Sequence, residues 1–189
     1  MKSFLFISFL FTFGLNAQTQ IGSKFNERIA DSFVYLKINE LRQKNNLAPV
    51  VYSNKLRKYF SQKHSEIMIN EKRMFHPPLV KDRKFVREVF YISDDFSKAN
   101  NYNVYTSEDS STSYSIKEMV ISLNGTYKTY EEFANIAVNL WFNSKVHNEI
   151  MLSKYTNKQT NKEMKMVIGV SFKKHESGYY GCVNFMGFR

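Results

Sequence analysis

Apolar residues recur at three- and four-residue steps from Phe25 through Ile29, Phe33, Val34, Leu36 and Ile38 to Leu41, the spacing of an amphipathic helix with a broad apolar face. The helix is expected to end in the polar run Gln43-Lys44-Asn45-Asn46. Pro49 then disfavours helical backbone at Ala48, and Val50-Val51-Tyr52 reads as extended chain. Ser53 is a suitable N-cap for a second helix, with Leu56, Tyr59, Phe60, Ile67 and Met68 on one side, that runs to Met74 and is closed by Met74-Phe75-His76 before Pro77-Pro78. The stretch from Pro77 to Ser115 has little periodicity. It starts with a basic segment (Lys81, Arg83, Lys84, Arg87) around Val86 and Val89, and becomes rich in Asn, Ser and Thr, so a long polar surface loop is expected within 93–115. Apolar residues return from Ile116 to Leu123, a predicted strand opened by Glu118 and ended by the turn pair Asn124-Gly125. Thr129-Tyr130-Glu131-Glu132 matches a capping box. The helix it starts carries Phe133, Ile136, Ala137, Leu140 and Trp141 on one face and sets His147 where the helix ends. Met164 to Phe172 and Tyr179 to Phe188, joined across Lys173 to Gly178, predict a β-hairpin. Helices ahead of strands, with one helix between, predict an α+β domain in which helices cover an antiparallel sheet.

The chain has 189 residues, 43% of them hydrophobic and 23% charged, which suits a single domain, assigned to 24–189, and leaves little for a second core. Aromatic residues make up 16%, so large flat side chains must fill much of the interior. Residues 1–17 read as a secretory signal peptide: Lys2 precedes the apolar run Phe4 to Phe13, and Ala17 offers a small residue for cleavage. A retained N-terminal anchor is the alternative, although the apolar run is shorter than the roughly 20 residues that span a bilayer. The expected location is therefore secreted or periplasmic, with no transmembrane segment in the mature chain. Cys182 is the single cysteine, so no intramolecular disulfide can form; its place in the alternating run Tyr180 to Phe185 marks it as a small buried hydrophobe. The formal net charge is +10 and falls by one on loss of the signal peptide. For an exported chain this directs attention to anionic lipid or another envelope component rather than to nucleic acid. Lysines and arginines are nonetheless spread along the chain, as on an ordinary solvated surface.

Five segments resemble the CAP superfamily, shared by cysteine-rich secretory proteins, antigen 5 and pathogenesis-related proteins, in its bacterial SCP-like form. They are Ile38-Asn39-Glu40-Leu41-Arg42 with its "N-x-x-R" spacing, Leu47-Ala48-Pro49-Val50, His64-Ser65-Glu66-Ile67-Met68 ahead of His76, Trp141-Phe142-Asn143-Ser144 with His147-Asn148 and Ile150-Met151-Leu152, and the final strands around Ile168-Gly169-Val170 and Tyr179 to Gly187. The resemblance covers roughly Phe33 to Gly187. It implies a three-layer α-β-α sandwich with a central antiparallel sheet, and a cleft gathering two histidines and up to two glutamates.

The histidines of that cleft correspond to His76 and His147. Its first glutamate corresponds to Glu118 in Lys117-Glu118-Met119-Val120-Ile121, with Glu88 in Arg87-Glu88-Val89-Phe90 as the alternative; the second falls at Ser144. His76, Glu118 and His147 are ligand types that zinc or another divalent cation can use while keeping an open position. No local ligand pair of the H-E-x-x-H kind supports this, and no catalytic residue is assigned. Ser144 and His147 lie one helical turn apart but have no carboxylate orienter at local spacing, which argues against a serine hydrolase. His64 is expected to be a hydrogen-bonded structural histidine, His175 to be exposed in the hairpin connection, and Trp141 to belong to the core. Three functions follow: a non-enzymatic extracellular binding module for lipid, sterol or envelope ligands, a metal-dependent hydrolase, or a basic structural protein adhering to the envelope.

Overall fold

The computed structural model describes residues 20–22, 24–76, 114–154 and 166–188. Helix α1 spans Glu27–Lys44 and starts at Asn26, whose side chain accepts from the N–H groups of Arg28 and Ile29. Strand β1 is the short Val51–Tyr52. Ser53 caps the next helical stretch through its hydroxyl, which accepts from Leu56 N. That stretch runs as α2 (Asn54–Leu56), a π-helical segment (Arg57–Ser61) and α3 (Gln62–Glu71). Strand β2 spans Tyr114–Asn124, α4 Tyr130–Phe142, α5 Lys145–Met151, β3 Met166–His175 and β4 Gly178–Phe188.

The sheet order is β1-β3-β4-β2. Its three long strands are antiparallel, as expected, and β3 and β4 form the predicted hairpin. The two residues of β1 add a parallel edge against Val167 and Ile168. Two-residue alternation divides the side chains between two layers. Met119, Ile121 and Leu123 of β2, with Ile168, Val170, Phe172, Val183 and Phe185, enter the main core, where Ala30, Val34 and Ile38 of α1 and Phe133, Ala134, Ala137 and Trp141 of α4 meet them. Val120, Tyr180 and Cys182 point to the other face and pack with Met68 of α3. Strand β4 is buried on both sides, the mark of a central strand in a three-layer α-β-α sandwich. Phe133 sits in a ring cluster with Phe25, Tyr127, Phe172 and Tyr179, centroids 4.9–5.4 Å away, which explains the aromatic content.

Two buried polar devices tie the layers together. Asp31 of α1 receives Arg57 Nε at 2.6 Å and the Phe172 N–H at 2.8 Å, so one carboxylate joins α1, the π-helical segment and β3. Arg42, also on α1, donates from Nε to Ala48 O at 2.9 Å and from Nη1 to Met151 O and Ser153 O at 2.7 and 3.0 Å. The N-x-x-R spacing thereby gains a physical reason: Asn39 exchanges two bonds with the backbone of Val50, and Arg42 one turn later holds the end of α5.

Gly169 marks the closest approach of β3 to the helical layer. A Cβ there would lie 2.5 Å from Arg57 N and 2.7 Å from Leu56 C, both backbone atoms that cannot rotate away. Gly169→Ala is expected to lower stability by about 1–3 kcal/mol through overpacking. Urea unfolding checks this, and a change below 0.5 kcal/mol in magnitude, roughly that of a surface substitution, would show that the π-helical segment yields.

Three local readings are corrected. The second helix stops at Glu71, because Lys72 takes a left-handed conformation at φ 53° and Arg73 N bonds back to Met68 O; Met74, Phe75 and His76 lie beyond the helix. His147 lies inside the separate helix α5, since α4 ends at Phe142 and Ser144 opens a new one. In the capping box Thr129 accepts from Glu132 N as expected, but Glu132 reaches Lys128 N, while Thr129 pairs with Gln20 in a β-bridge. Residues 1–17, Glu88, the basic segment after Pro77 and most of the 93–115 loop lie outside the described residues.

Candidate functional site

Glu118 is the hub of the second face of the sheet. Strand pairing sets it opposite Asn184, with Val120 opposite Cys182, so Glu118, Cys182 and Asn184 face the same layer. From that layer α3 presents His64 and Ser65, and the π-helical segment Ser61. Oε2 of Glu118 accepts from His64 Nδ1 at 2.9 Å, from Asn184 Nδ2 at 3.2 Å and from the Cys182 thiol at 3.4 Å. Asn184 is fixed in turn, its Oδ1 2.8 Å from Ser61 Oγ. Ser65 and Ser171 hydroxyls lie 3.0 Å apart next to this network.

The other carboxylate oxygen is turned toward His76. Glu118 Oε1 is buried, has no hydrogen-bond partner among the described residues, and lies 3.5 Å from Nδ1 of His76. His76 is mostly exposed and is held by its neighbour Phe75, whose ring meets that of His64 edge-on at 5.2 Å while Arg73 lies over it at 4.9 Å. The His147 ring lies 6.2 Å from the His76 ring, tilted by 36°. Its place depends on α5, which Arg42 holds through Met151 and Ser153, and on α4, where the buried Trp141 donates from Nε1 to Val120 O at 3.1 Å.

The structure thus gathers the sequence-predicted His76 and Glu118 in direct proximity and sets His147 beside His76. Ser144 is the N-cap of α5 and its side chain makes no capping bond. His64 is hydrogen-bonded, as expected, but to Glu118 itself, which makes it part of the site. Cys182 is buried, as expected; it nonetheless lies within a polar cluster rather than in purely apolar surroundings. His175 departs from its predicted exposure: it ends β3 half-buried and stacks on Tyr180 at 4.4 Å.

Burial pushes the Glu118 carboxyl upward, but the hydrogen bond from His64, the nearby His76, the charge of His64 and the hydrogen bond from Asn184 outweigh it, and the net pKa falls to about 2. Glu118 is therefore ionised at neutral pH and a weak proton acceptor. Desolvation, followed by the neighbouring His76, lowers the pKa of His147 and favours its neutral imidazole. Burial, then Glu118, raises that of the Cys182 thiol. His76 Nδ1 and Glu118 Oε1 are near enough to contact one ligand together, and His147 adjoins them through the His76 ring.

The family described as CAP, the cysteine-rich secretory protein family, matches residues 35–186, and the chain belongs to that family. Among solved structures the chain is similar to an outer surface protein from Borrelia burgdorferi, at 19% identity over 88% of this chain and 98% of that one, with a TM-score of 0.55. It is also similar to an extracellular protein containing a SCP domain from Bacillus anthracis str. Ames, at 16% identity over 84% of this chain and 40% of that one, with a TM-score of 0.46. No curated protein matches the sequence. Among the described residues, no helix is long and apolar enough to cross a membrane.

Proposed function

We propose that this protein is a secreted, non-enzymatic binding module whose His76–Glu118–His147 cleft receives a lipid, sterol or other amphiphilic envelope component. The observation that carries this reading is the pairing of polar cleft groups with exposed apolar neighbours. Met74, two residues from His76, is 48% exposed; Val146, next to His147, is 64% exposed, and Phe142 just before α5 is 38% exposed. A ligand with a polar head and an apolar body meets both kinds of group, and the net charge of +10 favours anionic heads. The low pKa of Glu118 supports binding over catalysis, because a carboxylate so stabilised is a poor general base near neutral pH. The predicted signal peptide at 1–17 and the similarity to an outer surface protein support export.

Lipid extraction from protein purified out of its native host, followed by mass spectrometry, is expected to return a bound amphiphile. Met74→Asp combined with Val146→Asp is expected to weaken partition into anionic vesicles by tenfold or more, since each apolar side chain withdrawn from water contributes about 1.5–3 kcal/mol. An empty extract together with indifference to vesicles removes the binding reading. Vesicle binding that the double variant leaves intact, and that salt abolishes, transfers it to the basic surface.

A further inference from the structure

We infer that His64, Glu118 and Cys182, behind the cleft, form a metal-binding site of their own, suited to a zinc-class divalent ion. Their donor atoms come from three separate elements, α3, β2 and β4, and lie within 4.8 Å of one another. His64 Nδ1 is 2.9 Å from Glu118 Oε2, which is 3.4 Å from Cys182 Sγ, and the sulfur is 3.7 Å from Nδ1. A triangle with these sides has a centre about 2 Å from every corner, close to the lengths of zinc bonds to nitrogen, oxygen and sulfur.

The charges agree with this assignment. A carboxylate and a thiolate cancel a divalent charge and the imidazole stays neutral, so a buried site of this composition holds its ion without net charge, which a low-dielectric interior otherwise penalises. Asn184 supplies the supporting contacts: Nδ2 holds Glu118 Oε2, and Oδ1 lies 3.4 Å from the sulfur, near enough to serve as a fourth, oxygen donor after a small shift. Binding exchanges protons for metal. The S–H bond of Cys182 breaks as the S–metal bond forms and its proton leaves to solvent, while the proton that His64 shares with Glu118 leaves Nδ1, and the imidazole keeps one proton on Nε2 so that Nδ1 can bind. Glu118, buried but with an edge toward the cleft, provides the entrance, since its side chain is 13% exposed whereas that of His64 is 1% exposed. This site shares Glu118 with the cleft and uses neither His76 nor His147.

Cobalt and zinc titrations of the full chain test it. Cobalt(II) is expected to bind at one equivalent and to give a thiolate-to-metal charge-transfer band in the near ultraviolet, which histidine and carboxylate ligands alone do not produce. Zinc is expected to displace it. Cys182→Ser should remove the band and weaken zinc at least tenfold, while His76→Ala with His147→Ala should leave both intact. No charge-transfer band in the wild-type protein, zinc affinity unchanged in Cys182→Ser, or zinc affinity lost only in the double histidine variant overturns the assignment. The wild-type spectrum decides the matter if Cys182→Ser does not fold. The lipid experiments on Met74 and Val146 are independent of all these outcomes.

Discussion

Arg42→Ala is expected to lower stability by about 3–5 kcal/mol and to loosen α5 together with His147. The side chain is 1% exposed, and its guanidinium serves the carbonyls of Ala48, Met151 and Ser153, from two segments far apart in sequence, with Nη2 3.7 Å from Met166 Sδ. Truncation removes the donors from three carbonyls, each costing about 1–3 kcal/mol where water cannot replace them, and leaves a void beneath Met151. Arg42→Lys keeps the charge but not the planar fork. It cannot serve three acceptors at once, so a loss of about 2 kcal/mol is expected. Urea unfolding measures both, and hydrogen exchange across 145–151 reports whether α5 opens locally before the whole chain unfolds. A loss below about 1 kcal/mol for Arg42→Ala, the net worth of one ordinary hydrogen bond, would mean that packing of the fully buried Met151 holds α5 without the clamp.

The layers were legible because the periodicities are clean. Three- and four-residue steps in α1 and α4, and alternation in β2 and β4, mark the faces that meet in the main core. The resemblance to the CAP family added what periodicity lacks, a reason to bring His76 near Glu118 and His147. The inner half of the site was missed, although it left a signal. Ser61, His64, Ser65 and Met68 share one face of the second helical stretch at three- and four-residue steps, and Glu118, Cys182 and Asn184 share one face of the sheet at two-residue steps. Polar residues at core positions on two facing elements imply a buried network, because each must find a partner when water is removed. Other features had no local mark. Lys72 ends α3 in a conformation usually marked by glycine, so the helix was read on to Met74. Two-residue β1 owes its pairing to β3, more than a hundred residues later in the chain.

Acid is expected to dismantle the site through Glu118. Its pKa in the folded protein is about 2 against an ordinary 4.5, so the unfolded chain takes up the proton first as pH falls. The stabilisation is fully present above about pH 4.5 and is lost as pH falls toward 2; a difference of this size corresponds to about 3 kcal/mol. Asp31 acts in the opposite sense. Burial outweighs the pull of Arg57 and raises its pKa from 3.8 to about 7, so the folded protein takes up that proton before the unfolded chain does, and acidification from pH 7 toward 4 favours the fold. Glu118→Gln isolates the first contribution. The amide keeps the shape but supplies no negative charge to His64 and presents one acceptor oxygen where the carboxylate has two, so it should be less stable than wild type by about 3 kcal/mol at pH 6–7. The gap between the two proteins should close as pH is lowered through 4.5 toward 2, when wild-type Glu118 is itself neutralised. Urea unfolding at a series of pH values, with a chelator present to keep metal out, gives the difference directly. A gap that stays constant across that range would show that Glu118 stabilises the fold through shape and packing rather than through its charge.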